Sequence, residues 1–504
     1  MFSDETLESL TVESQWKKSQ LGTSQSKSCQ SNPVRSAEAS VQTAFTSDSD
    51  AQTGEQTEQN PELNWDQPAP PDLVDFLRKV EDKIIRELVK NSKSHAFDGF
   101  QANWEDHSTG VSRLHALQYP SAQERGLHVT SVSWSCTGSV VACAYGRTDD
   151  GDWSTERSCV CLWNLDQRGL QSNQPDLIVD APSAVTALCC HPTHPALIAG
   201  GLYNGEVVVW NTSQTQDPVW AQTGMSSDSH REPVYQVAWV PLQKKGDFGV
   251  LSACSGGRVL LWLVDSFRTR LVLSDGYALA KQQIPHSSSV GLKVIGRGSN
   301  TVGVTSLALS PWDSDTFLVG SEGGLQLKCS FSSRMPAAMP SEGLSVALKA
   351  PAVFAFRPHS GPVYSLHCSP FHRNLFVSAG TDGLAHVHSL LQAEPLLSLR
   401  VSDSYVFQAQ WSPTRPLVFA AASGQGDVQI FDLGRRSLRP AATIQEGGAA
   451  HAATCLAFNR HRPRVLAVGK TNGTVSVWQL SADLVEQNPR ECSRLEQIAN
   501  QVAE

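Results

Sequence analysis

Seven stretches of this chain can be laid over one another, and few folds tolerate that. Each contains a short apolar strand, a turn, a second apolar strand ending in small residues, a further turn, and an alternating strand that closes on a bulky residue. They open at VTSVSW (129–134), AVTALCC (184–190), PVYQVAW (233–239), GVTSLAL (303–309), PVYSLHC (362–368), YVFQAQW (405–411) and ATCLAF (453–458). The closing strands align more tightly. Gly205 stands five residues before Trp210, and the same offset separates Gly257 from Trp262, Gly324 from Cys329, Gly383 from His388, Gly426 from Phe431 and Gly473 from Trp478, with Ser158 holding the place before Trp163. Pro192, Pro311, Pro370, Pro413 and Arg460 each lie 18 residues before a closing position.

A glycine at the hairpin supplies the positive φ that a tight β-turn needs, and alternation after it sends every second side chain into a core. A blade of four strands cannot bury both of its faces alone, whereas blades stacked in a ring can. The expectation is an all-β, seven-bladed propeller over residues 105–483. The units resemble WD-repeat propellers, with Trp163, Trp210, Trp262 and Trp478 in the Trp place and Cys329, His388 and Phe431 filling it elsewhere. The Asp that follows this Trp in the family survives only as Phe431-Asp432. Surplus residues must leave the blades as loops: the polar segment 146–158, PLQKKGDF in the third unit, and long connections at 265–302 and 332–361.

Composition agrees with many short strands: 40% of the 504 residues are apolar and only 18% charged, with 36 Gly and 27 Pro. A net charge of −9 provides no basic stripe for phosphates or anionic lipid, so neither nucleic acid nor a membrane is expected as a direct partner. MFSDETLESL carries acids where a secretory signal carries a basic flank, and no run of 18 apolar residues occurs; the reading is a soluble cytosolic chain. The twelve cysteines then read as small buried hydrophobes.

No catalytic, metal or cofactor site is expected. Cys189, Cys190 and His191 lack a second ligand pair at finger-like spacing. Gly469-Lys470-Thr471 imitates the end of a phosphate loop, but Arg464 stands where that motif needs Gly, and a strand follows instead of a helix. His359, His367, His372, His386 and His388 gather in the fifth unit with no acidic or Cys partner at ligand spacing, so they read as structural.

Residues 1–62 are rich in Ser, Thr, Gln and Glu, too poor in large apolar side chains to offset ordering, and are expected to be disordered. Three triplets recur there: Val41-Gln42-Thr43, Ala51-Gln52-Thr53 and Glu55-Gln56-Thr57. They resemble the short motif that the eight-kilodalton dynein light chain captures as an added strand. In segment 63–104, after Pro68, Pro70 and Pro71, Leu73, Leu77, Val80, Ile84 and Leu88 recur at spacings of three or four, which predicts one amphipathic helix capped by Asp72. Its apolar stripe either packs on the propeller or seats in a partner's groove. Residues 484–504 form a tail whose structure the pattern leaves open.

A leader with Gln-Thr triplets, an amphipathic helix and a degenerate propeller is the layout of dynein intermediate chains. The phrases FLRKVEDKIIRELVKNSKSHAFDGF, GLHVTSVSWSCTGSVVACAYGRTDDGDWST, SPFHRNLFVSAGTDG and RPLVFAAASGQGDVQIFDL resemble those of the intermediate chains of cytoplasmic dynein-2, the motor of retrograde intraflagellar transport. The resemblance implies a non-enzymatic scaffold that binds the dynein-2 heavy chain through its propeller. It implies pairing with a second, different intermediate chain, with eight-kilodalton, roadblock and Tctex light chains on the N-terminal segment, and travel with intraflagellar transport trains. The triplets would take the eight-kilodalton light chain and Leu73–Leu88 the roadblock type. The implied location is cytoplasm and cytoskeleton, at the cilium, the ciliary base and the centrosome. The rival class is a WD-repeat adaptor of another complex, such as a ubiquitin-ligase substrate receptor.

Overall fold

The computed structural model describes residues 71–92 and, from 110 to 501, all except 148–156, 215, 243–245, 266, 286–299, 340, 342, 436–438 and 446–450. Contacts divide the chain into two units, 1–102 and 103–504. In the first, Pro71–Ser92 forms helix α1. Proline opens it where a missing N–H costs nothing, and Asp72 in the first turn and Lys90 in the last oppose the helix dipole.

The second unit holds twenty-eight strands among its described residues. The first blade is His128–Trp134, Val140–Gly146, Ser158–Asn164 and Leu177–Ala181, in that spatial order. Five more four-stranded meanders follow, opening at Val185–Cys190, Val234–Pro241, Val304–Leu309, Val363–Cys368 and Val406–Trp411. Ala453–Phe458, Val465–Lys470 and Thr474–Leu480 make three strands of the seventh blade. Its outer strand comes from the front of the unit: Val111–Gln118 runs antiparallel to Thr474–Leu480, from Val111 opposite Leu480 to Gln118 opposite Thr474. The innermost strands touch one another in a closed cycle, with 128–134 against 453–458 completing the ring. Blades two and three also join at their outer edges through one parallel pair, Arg270 with Gln222.

Second strands such as Leu375–Gly380 and Val418–Ser423 are buried at every position, because a neighbouring blade covers each face. That is why they read as continuous apolar runs with small residues at their ends. Outer strands have one exposed face and a weaker pattern. Two of them hide inside stretches expected to be connections: Arg270–Ala278 lies within 265–302, and Ala352–Phe356 within 332–361. The hairpin glycines take positive φ as expected; at Gly205, with φ of 91°, a Cβ would stand 2.2 Å from the His230 carbonyl oxygen.

Four blades carry Thr near the start of the innermost strand, directly after a buried Val or Ala. Thr130, Thr186 and Thr305 send their hydroxyls to the carbonyls of Val185, Val234 and Val363 in the following blade, and Thr454 sends its own to Val129. Tyr235, Tyr364 and Phe407 take this place in the other three, and Tyr364 stacks on Phe407 at 5.5 Å. After the last strand come two short helices, which with Pro120–Glu124 (α2) are α3, Ala482–Val485, and α4, Glu491–Ala499. Leu484 and Val485 bury beside Leu480, and Leu495 and Ala499 against Trp411, Phe419 and Phe431. The tail packs on blades six and seven.

Candidate partner-binding surfaces

Helix α1 presents an apolar face wider than its spacing suggested. Leu73, Leu77, Ile84 and Leu88 are exposed and Val80 is half-buried; Phe76, Ile85 and Val89, which the spacing reading passed over, are exposed as well. Leu77 and Ile84 keep 50% and 48% of their surface. On a helix Phe76, Val80, Leu73, Ile84, Leu77 and Leu88 fall on one flank, and Ile85 and Val89 lie beyond it with Glu81 and Arg78 interleaved. A flank of that kind suits an apolar groove in a partner. Val41, Gln42, Thr43, Ala51, Gln52, Thr53, Gln56 and Thr57 lie outside the described residues.

The closing positions face the blade interiors. Trp163, Trp210, Trp262, Cys329, His388 and Phe431 are buried, each opposite a residue of the second strand: Val141, Ile198, Val250, Phe317, Phe376 and Phe419. Trp478, opposite Leu466, is only half-buried, where the outer strand carries a bulge between Arg113 and His115.

Two blades hold buried polar networks, and in one of them the closing residue takes part. In blade three Trp262 Nε1 donates to Ser252 Oγ at 2.8 Å, and His230 Nε2 lies 2.7 Å from the same oxygen. In blade five His359 Nε2 lies 2.9 Å from Ser378 Oγ, and its Nδ1 lies 2.8 Å from Asp382 Oδ2. Asp382 is the acidic partner the sequence reading did not find for these histidines. It stands in the turn after the second strand, where its role depends on a residue from the preceding connection. Burial works against ionising Asp382, but the hydrogen bond and charge of His359 and the N–H groups of Ser360 and Leu384 outweigh it and hold the carboxyl at about 2.

Donor atoms of His359, Asp382 and His386 lie within 4.8 Å of one another, a spacing a metal ion could use. They are already engaged: His359 with Asp382 and Ser378, and His386 Nδ1 with Ser398 Oγ at 2.8 Å. The set matches the His230–Ser252–Trp262 network of blade three, which makes it a device for fixing strands. His388, in the Trp place, stacks on Phe376 at 4.8 Å, and burial drives it well below the usual imidazole range, with His386 and His359 adding to the effect. Burial likewise acts on the Cys455 thiol, pushing it up to about 12. These groups hold the ring together, and α1 offers the exposed apolar surface.

The family described as Dynein axonemal intermediate chain 3 WD40 domain matches residues 314–480. Over 502 residues, 99% of this chain and 92% of the relative, the sequence is 50% identical to a Mus musculus protein named Cytoplasmic dynein 2 intermediate chain 2. The Homo sapiens protein of that name is 52% identical over 436 residues, 86% of this chain and 80% of its own. Dynein intermediate chain 3, ciliary, from Heliocidaris crassispina is 24% identical over 419 residues, 82% of this chain and 63% of its own.

Proposed function

The chain belongs to the cytoplasmic dynein 2 intermediate chains, non-catalytic WD-repeat subunits, and on that premise we propose that it joins the motor's heavy chain to its light chains. The propeller is the heavy-chain platform: a closed ring needs no partner for its own core, which leaves its rims and faces for binding. The leader is the light-chain segment. The observation that carries this second part is α1, a helix of 22 residues whose apolar flank is exposed.

In this reading α1 seats in a roadblock-type light chain, and the triplets at Gln42, Gln52 and Gln56 are captured as added strands by the eight-kilodalton type. A Tctex-type light chain completes the set, and the light chains staple the chain to a second, different intermediate chain. The assembly serves retrograde intraflagellar transport and cilium assembly, working in the cytoplasm and cytoskeleton at the cilium, ciliary base and centrosome.

Affinity purification of the tagged full chain with quantitative mass spectrometry tests the proposal. Recovery of motor heavy chain, a second intermediate chain and light chains in fixed ratio is expected. Ubiquitin-ligase subunits in their place would overturn it in favour of the adaptor reading.

A further inference from the structure

A cavity of 370 Å³ opens where α4 meets blade six. Its floor is a buried ionic cluster. Arg415, almost fully enclosed, holds Glu491 Oε1 at 2.7 Å and Asp432 Oδ2 at 3.0 Å, and donates to the Asp483 carbonyl as well. Asn488 Nδ2 also donates to Glu491 Oε1, at 3.2 Å. The other carboxylate oxygen, Glu491 Oε2, is buried with no hydrogen-bond partner, in a residue only 4% exposed. A buried charged acceptor left open is costly unless a donor reaches it.

The rim has the opposite character. Arg435, Arg490 and Arg494 line it with exposed side chains. Among the described residues, Arg435 makes a 3.7 Å contact to Asp432, and Arg494 a 3.4 Å bond to the Gly434 carbonyl. Four guanidinium groups thus face two carboxylates. α4 starts in the same wall at Arg490 with no side-chain cap, so its amino end adds partial positive charge. The cavity stands out on a chain whose net charge is −9.

The geometry points to a binding cleft for an acidic peptide. Its side-chain carboxylates pair with the exposed guanidinium groups of Arg435, Arg490 and Arg494 along the rim. A single small anion meets only one of these groups at a time, whereas a peptide carries several carboxylates spaced along one chain. Nothing in the motor-subunit reading requires this cleft, and it stands or falls separately.

The test uses the full chain and a dye-labelled, acetylated and amidated peptide of alternating Asp and Glu, read by fluorescence anisotropy. The acidic peptide is expected to bind and its Asn/Gln counterpart not to. Arg490→Glu with Arg494→Glu, both on exposed side chains, should weaken binding by about tenfold or more, since two attractive pairs become repulsive. Reversal of an exposed arginine on blade three, Arg268→Glu, should leave binding unchanged. Equal affinity for the double variant, equal loss in the Arg268 control, or full displacement by inorganic phosphate would each overturn the proposal.

Discussion

Thr454 donates its hydroxyl proton to the carbonyl of Val129 at 2.5 Å, so the last blade is bonded to the first by the same contact that links blades one, two and four to their successors. Replacing Thr454 by Val keeps the shape and removes the donor. The carbonyl of Val129 is then left short of a partner, and a loss of about 1 kcal/mol is expected. Urea unfolding should show a lower midpoint with an unchanged slope; the same midpoint as wild type would mean that the hydroxyl contributes nothing to closure.

The tail is part of the propeller's fold. A fragment spanning 110–501 should melt well above one spanning 110–480, because the shorter piece loses Leu484, Val485 and Leu495, buried aliphatic side chains worth roughly 1.5 to 3 kcal/mol each. It also leaves Arg415 without Glu491. Calorimetry on the two fragments decides; equal melting temperatures would show the tail to be a passive attachment.

Leu77→Glu with Ile84→Glu should leave the melting temperature of the isolated protein almost unchanged, because both side chains are about half exposed. The same change places two charges where an apolar groove cannot solvate them. Capture of roadblock-type light chain and of the second intermediate chain should be lost. A large fall in melting temperature with capture intact would assign the helix to the propeller.

Replacement of Gln42 and Thr43 by Ala should weaken recovery of the eight-kilodalton light chain. Adding Ala at Gln52, Thr53, Gln56 and Thr57 should abolish it, since neighbouring weak sites act together on a dimeric ligand. Undiminished recovery from the combined variant would remove the triplets from consideration.

Acid should destabilise the propeller through its buried histidines. Burial, with Arg258 nearby, lowers His230 to about 3, and burial with Arg460 lowers His367 to about 4. In the unfolded chain both take protons below about 6.5, so the unfolded state binds more protons between that value and the folded one. Their contribution to stability is therefore flat above 6.5 and falls as the pH drops, by at most about 1.4 kcal/mol per pH unit for each such histidine. Unfolding midpoints between pH 7 and 5 should show a shallower decline in His230→Asn than in wild type. Parallel declines would mean that His230 takes up its proton equally in both states.

The ring was legible in the chain because bulky residues such as Trp163, Trp210 and Trp262 repeat at fixed distance from turn residues, and turns impose that distance. What depends on contacts between units was not. Thr130, Thr186, Thr305 and Thr454 stand in plain view, yet their role appears only when a neighbouring blade supplies the carbonyl. VSRLHALQ at 111–118 carries no repeat signal, since an outer strand buries one face and its partner lies at the far end of the chain. Nothing in the sequence pattern singles out Asp382 or Glu491; His359 and Arg415, remote in sequence, make them internal. Within α1 the strict three-four spacing selected Leu73 to Leu88 and missed Phe76, which widens that line on one side, and Ile85 and Val89, which lie beyond Glu81 on the other.

Because Val111–Gln118 pairs with Thr474–Leu480, the first strand to leave the ribosome is among the last to find its neighbour. Six blades can assemble from consecutive residues as they are made, whereas the seventh waits for the end of translation. Throughout that interval Val111–Gln118 offers an unpaired edge to other nascent chains. If the leader carries the light chains as proposed above, it is synthesised before the ring can close, and loading of small subunits and completion of the propeller would be separated in time by the order of the polypeptide itself.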